Sequence, residues 1–383
     1  MLLVILGGGA YSLLSKRAPD DKPVSITPPL APQPPVSQPE KAPTTVAPTA
    51  PATPAEKPTP PATSAPSKTD TQPFVGIDSG AIFAPDSFWY TPIPANAPLH
   101  PDSAHYVTEI LRQKKAYYGT VSINTHSYSS PVFIATKDTP TVRVAFWDCQ
   151  HKGHPDPNLE PQWSAVPIPA EAEQAEGTDA EMTIYQPSSD TLWEFWQARK
   201  VDGKWQACWG GRMQHVSKNP GYWEKYYGTT ASGLPFLGGQ ITAEELQRGE
   251  IKHALGFSLV DAEDSKIFSW PANRSDGSNK KKEPYWICEG QRFRLDPSIN
   301  VDALKMHPVG KVIAKAAQKY GFVVWDKAGA LTLRAQNSKS YTRLGLPDPY
   351  AALFNKTPAY AILANFPWEK LQFLPKDYGK PDK

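Results

Sequence analysis

The stretch DAEMTIYQPSSDTLWEFWQARKVDGKWQACWGG, residues 179–211, decides how the fold is read. Three runs rich in β-branched and aromatic residues are separated by PSSD and by Asp202-Gly203. The second separator is a two-residue hairpin signal, because both central positions of a type I′ turn need positive φ. With Asp202 and Gly203 as the turn, Val201 faces Lys204, Trp196 faces Trp209 and Glu194 faces Gly211. With a four-residue loop at 187–190, Gln186 faces Thr191, Thr183 faces Glu194 and Glu181 faces Trp196. Side chains alternate across a strand, so one face collects Met182, Ile184, Trp193 and Phe195, which is a core face. The other collects Glu181, Thr183, Tyr185, Glu194, Trp196, Trp205 and Trp209.

Two carboxylates among aromatic rings are costly to bury, and carbohydrate recognition gives a reason for the mixture. The apolar face of a pyranose stacks on Trp or Tyr while carboxylates take its hydroxyls. Tyr185, Trp196, Trp205 and Trp209 are the candidate sugar-binding residues, and Glu181 and Glu194 the candidate catalytic pair, since two carboxyls roughly 5–9 Å apart can cleave a glycosidic bond. The competing reading is an aromatic sandwich core in which Glu181 or Glu194 pairs with Arg199, Arg212 or Lys204. A binding face, a hydrolase and a structural or adhesive protein are therefore the three functional expectations.

Outward from this stretch, short strands continue at TVRVAFWDC (141–149), HALGFSLV (253–260) and FVVWD (322–326), set off by Gly, Pro, Asn and Asp. That spacing predicts a sandwich or barrel. Helices are predicted at 103–114 after Pro101 and Asp102, at 242–248 behind a capping-box sequence, and at 308–320 with Pro at its first turn and Gly321 just past its end. The expected fold is all-β dominated, a jelly-roll or concanavalin-like β-sandwich with a few peripheral helices. It occupies 74–383 as a single domain, with 338–383 wrapping its surface.

The 383 residues include 42 Pro, 12 Trp and 3 Cys, and 40 Lys+Arg against 38 Asp+Glu leave a net charge of +2. So small a charge gives no field to gather nucleic acid, which is excluded as a partner. The prolines are densest in 18–73, a Pro, Ala and Thr-rich segment without the apolar residues needed to fold. It is expected to be a disordered stalk, extended at about 3.1 Å per residue and so on the order of 100 Å or more in reach. Ahead of it, MLLVILGGGAYSLL followed by Lys16 and Arg17 predicts a membrane anchor or signal segment at 1–17. Fourteen residues are too few for roughly 30 Å of hydrocarbon, so the expectation is a start lying upstream, with a cleaved signal as the rival, Gly8 and Ala10 being small enough to precede a cleavage point. The address that follows is extracellular or cell envelope, the partners being the membrane through the N-terminal segment and a cell-wall or extracellular polysaccharide.

Cys149, Cys208 and Cys288 allow one disulfide with one thiol left over, the pairing open between Cys208 and Cys288 for Cys149. His151 and His154 with Asp148 and Asp156 have spacing a metal would tolerate, yet a solvated loop is the stronger reading, and no metal or cofactor is expected. No nucleophile elbow, P-loop, HExxH or GxGxxG is present.

The motifs LWEFWQA (192–198), WGG (209–211), SGLPFLGG (232–239), RGEIKHALGF (248–257), WP (270–271), QRFRL (291–295) and KYGFVVWD (319–326) occur in that order. Together they resemble a family of largely uncharacterised secreted bacterial surface proteins, across roughly 87–326. The resemblance implies a jelly-roll β-sandwich and export, and brings no settled activity. Members of that family tend to carry a His near the start of the strand that here holds Glu181, so a His-based site does not transfer.

Overall fold

Short strands and a few helices build the described part of the chain, residues 82–280 and 285–382 of a computed structural model. The anchor at 1–17 and the stalk at 18–73 lie outside the described residues. The first half contains α1 (Ser103–Ala116), β1 (Ser122–Asn124), β2 (Val132–Ile134), β3 (Thr141–Val142), β4 (Ala145–Phe146), β5 (Val166–Pro167), β6 (Met182–Gln186), β7 (Thr191–Trp196), β8 (Arg199–Val201), β9 (Lys204–Ala207) and β10 (Trp209–Gln214). The second contains α2 (Phe236–Gly239), α3 (Ala243–Arg248), β11 (Leu255–Leu259), β12 (Arg292–Leu295), α4 (Pro308–Lys319), β13 (Phe322–Lys327), β14 (Thr332–Arg334), α5 (Lys339–Thr342), α6 (Pro349–Phe354) and β15 (Leu371–Phe373).

The three expected helices form, α3 and α4 for the expected reasons, whereas Asp102 places no side-chain cap on α1. Thr242 and Glu245 complete a reciprocal capping box at the start of α3, and Gly249 closes it in the left-handed region. Pro308 occupies the first turn of α4, and Gly321 follows its end at φ 74°. In the central stretch the register is the one the turn chemistry dictates: Trp209 pairs with Trp196, Gly211 with Glu194, Thr183 with Glu194 and Val201 with Lys204. Asp202 and Gly203 both have positive φ, as a type I′ turn requires.

The sheets are mixed. A six-stranded sheet runs β1-β14-β11-β13-β12-β15 and a four-stranded one β10-β7-β6-β2, with smaller sheets β3-β5 and β4-β9-β8. The pairs β1/β14, β11/β13, β2/β6 and β4/β9 are parallel. Alternation along β13 explains the layering. Phe322 and Val324 enter one core with Ile110 of α1 and Ile313 of α4, whereas Val323 and Trp325 enter a second core with Ile184, Leu192 and Phe195 of the four-stranded sheet. The six-stranded sheet is therefore the middle layer, covered by helices on one side and by a second sheet on the other.

Three local expectations change. The run 141–149 breaks into β3 and β4, because each half pairs with a different strand. The segment 338–383 does more than wrap the surface: β15 becomes the edge of the large sheet, and Phe366, Trp368 and Phe373 pack inside the first core. Finally, the expected wet face of the central stretch is dry over its middle. Thr183 and Glu194 are fully buried, as is Leu192, because α2 and the loop before it close over that face. Gly211 lets the loop approach; a Cβ there would lie 2.9 Å from Tyr227 Cβ.

Candidate functional site

At one end the polar face opens on a cavity. There the start of β6, the end of β7, the start of β10 and the end of β13 converge on about 690 Å³ of space. Gln197, at φ 50°, turns the chain out of β7 at this edge, so the hairpin beyond it leaves to join β4 as a separate sheet. Aromatic walls come from Phe146, Trp196, Trp209 and Tyr226, and the floor from Glu181, Asp179 and Asp326. A loop from Asp148 to Pro157 forms one side and is fastened covalently, since Cys149 is disulfide-bonded to Cys208 at the β10 edge. This settles the open pairing; Cys288 is a buried free thiol.

Glu181 is 2% exposed. Its Oε1 accepts from Arg334 Nη1 at 3.4 Å, and its Oε2 has no partner. Burial pushes its carboxyl up to about 7 against the pull of Arg334. The other arm of Arg334 donates to Asp326 Oδ2 at 2.7 Å. Desolvation raises Asp326 to about 6, although its side chain keeps 16% exposure toward the cavity. One guanidinium thus ties two carboxyls to the same floor, and the arginine packs against the Phe236 and Trp325 rings, 5.0 and 5.8 Å from their centres. Beside them, Asp179 Oδ1 accepts from Trp196 Nε1 at 3.1 Å and fixes that indole in the wall. Across the cavity Glu289 is buried behind Asp276, and burial together with the Asp276 charge holds its carboxyl well above the usual range.

Glu194 is not part of this cavity. Phe236 N donates to its Oε1 at 2.7 Å, while Trp223 Nε1 and Thr229 Oγ1 donate to its Oε2. It ties α2 and the 223–229 loop to β7. Of the other candidate residues, Trp196 and Trp209 line the cavity beside Glu181, whereas Tyr185 and Trp205 do not. Tyr185 lies near the far end of β6, and Trp205 is buried in the second core under Lys200, past the turn at Gln197.

Asp179, Asp276, Glu289, Asp326 and Arg334 were not singled out by sequence. One signal was available: an arginine inside the apolar strand LTLR has to find carboxylates when that strand is buried. His154 lines the cavity loop, and Cys149 is consumed by the disulfide. Among the described residues no group of three or more His, Cys, Asp and Glu has metal-holding geometry, and no helix is long and apolar enough to cross a membrane. Comparison with protein-family models, curated proteins and solved structures finds no match, which leaves the cavity itself to carry the functional reading.

Proposed function

We propose that the chain is an exported, envelope-tethered protein that binds a saccharide in this cavity, between the indoles of Trp196 and Trp209 and over the carboxyl of Glu181. The observation that carries the reading is the unpartnered Oε2 of Glu181 on the floor of an aromatic-walled cavity. A buried acceptor without a donor is a standing cost unless a ligand supplies the hydrogen bond, and a sugar hydroxyl does so while its ring stacks on indole. A cavity of this size also suits a small number of sugar rings better than an extended surface strip. The Pro-rich stalk and the resemblance to secreted surface proteins support export, with cell-wall or extracellular polysaccharide as the partner. The facing sheets support a sandwich of jelly-roll type, and the parallel pairs weigh against that finer assignment.

A second reading, glycoside cleavage, is favoured by one specific feature. A carboxyl raised to about 7 is protonated over a useful range and can act as general acid. Its partner is then Asp326 in place of Glu194, because bridging by one guanidinium keeps the two carboxyls within about 8 Å, inside the span glycosidases use.

The test is to incubate the full chain with purified peptidoglycan and wall polysaccharides, following retention and reducing-end release in the same tubes. Retention without release establishes a binding protein. Release that Glu181→Gln abolishes establishes a hydrolase. Neither retention nor release overturns both readings.

A further inference from the structure

Resting on the saccharide reading, we propose that the cavity selects sugars bearing a protonated primary amine, of the glucosamine type, over neutral N-acetylated and over anionic sugars. The first support is an imbalance of charge. Without counting the raised carboxyl of Glu181, Asp148, Asp156, Asp179, Asp276 and Asp326 line the cavity against three cations, Lys152, Arg274 and Lys327.

The second support is that Arg274, and in part Lys327, are already engaged by the protein. Arg274 donates to the backbone carbonyls of Tyr226, Gly228, Thr230 and Ala231, so its guanidinium holds the loop and offers little to a ligand anion. Lys327 Nζ reaches the Asp276 carbonyl at 3.5 Å. Arg334, behind the floor, is divided between Glu181 and Asp326. A uronate or phosphate entering here would meet like charge without a matching fork of donors.

The third support is the set of acceptors left over. Glu181 Oε2 is buried and without a partner, and an ammonium, a group of three donors with no acceptor, both supplies the missing hydrogen bond and favours the ionised carboxylate. The aromatic wall suits the same group. Lys152 already places its Nζ 5.6 Å from the centre of the Trp209 ring, so the chain itself seats a primary ammonium on that surface. An N-acetyl group carries no charge, brings a carbonyl acceptor to an acceptor-rich floor, and forgoes both contacts.

Calorimetric titration of the full chain at pH 6.5 with three hexasaccharides of glucosamine, N-acetylglucosamine and galacturonate tests this. The expected result is binding of the glucosamine oligomer about tenfold or more tighter than the N-acetylated one, with the galacturonate weakest. Asp276→Asn, at an exposed position on the cavity rim, should shrink that preference several-fold. Equal affinity for the first two oligomers, or tightest binding of the galacturonate, overturns the amine preference and leaves the saccharide reading in place. No heat with any of the three removes the saccharide reading and the preference with it. Spermidine serves as a cation without a ring: if it displaces the glucosamine oligomer at equal concentration, charge alone is being read and the assignment to an amino sugar fails.

Discussion

At Glu181 one carboxyl oxygen meets Arg334 at 3.4 Å and the other meets nothing, whereas at Glu194 both oxygens are engaged by donors from α2, Trp223 and Thr229. The same residue type therefore does two jobs. Replacing Glu194 by Gln puts an NH2 where donors already point, so Glu194→Gln should destabilise the fold by about 1–3 kcal/mol in denaturant titrations. Glu181→Gln turns no existing donor away and should instead change how stability depends on pH. The folded value of Glu181, about 7, lies above its ordinary 4.5, so the folded state holds the proton over that interval and stability falls as pH rises through it. The groups facing it are Arg334, Asp179 and Asp326. At ~1.4 kcal/mol per pH step, the loss from pH 4.5 to 7 is at most about 3–4 kcal/mol. Urea midpoints at pH 5 and pH 8 should therefore differ less for Glu181→Gln than for the unchanged chain; an undiminished difference would mean that Glu181 is ionised throughout.

The pairing of β7 with β10 is the element that sets the cavity edge. Gly210 sits at φ 152°, and a Cβ there would lie 2.0 Å from the backbone oxygen of Glu194. Gly210→Ala must push the strands apart, and a thermal melt should show a loss of more than about 3 kcal/mol. A small loss would show that the ladder is not packed as described. This hairpin was the most legible part of the sequence, since Asp202-Gly203 and strict alternation fix the register from local information. The faces were less legible. Alternation put Thr183, Glu194, Trp196 and Trp205 on one side correctly as far as Trp196. It could not show that Phe236 and Trp223, far along the chain, roof over Glu194, nor that Gln197 adopts a left-handed backbone that carries Trp205 into the core. The cavity floor was hidden for the same reason: Asp326 and Arg334 meet Glu181 across two sheets, and no spacing in the sequence records that distance.

Over the whole molecule, one layer of strands serves two cores, and the cavity opens where its β13 end meets the edge of the second sheet. Five chain regions supply it: the disulfide-pinned loop after β4, the central strands, the 226–231 loop, the 274–276 loop and the end of β13. Because the walls come from distant segments, binding should survive changes elsewhere on the polar face and fail with changes at the walls. The most direct measurement is retention of the full chain on insoluble wall glycan, comparing Trp196→Ala combined with Trp209→Ala against Tyr185→Ala, with folding checked by circular dichroism. Loss of retention in the double variant and its persistence in Tyr185→Ala is the predicted result. Unchanged retention by the folded double variant, or an equal loss in folded Tyr185→Ala, would contradict the assignment of the cavity as the glycan site.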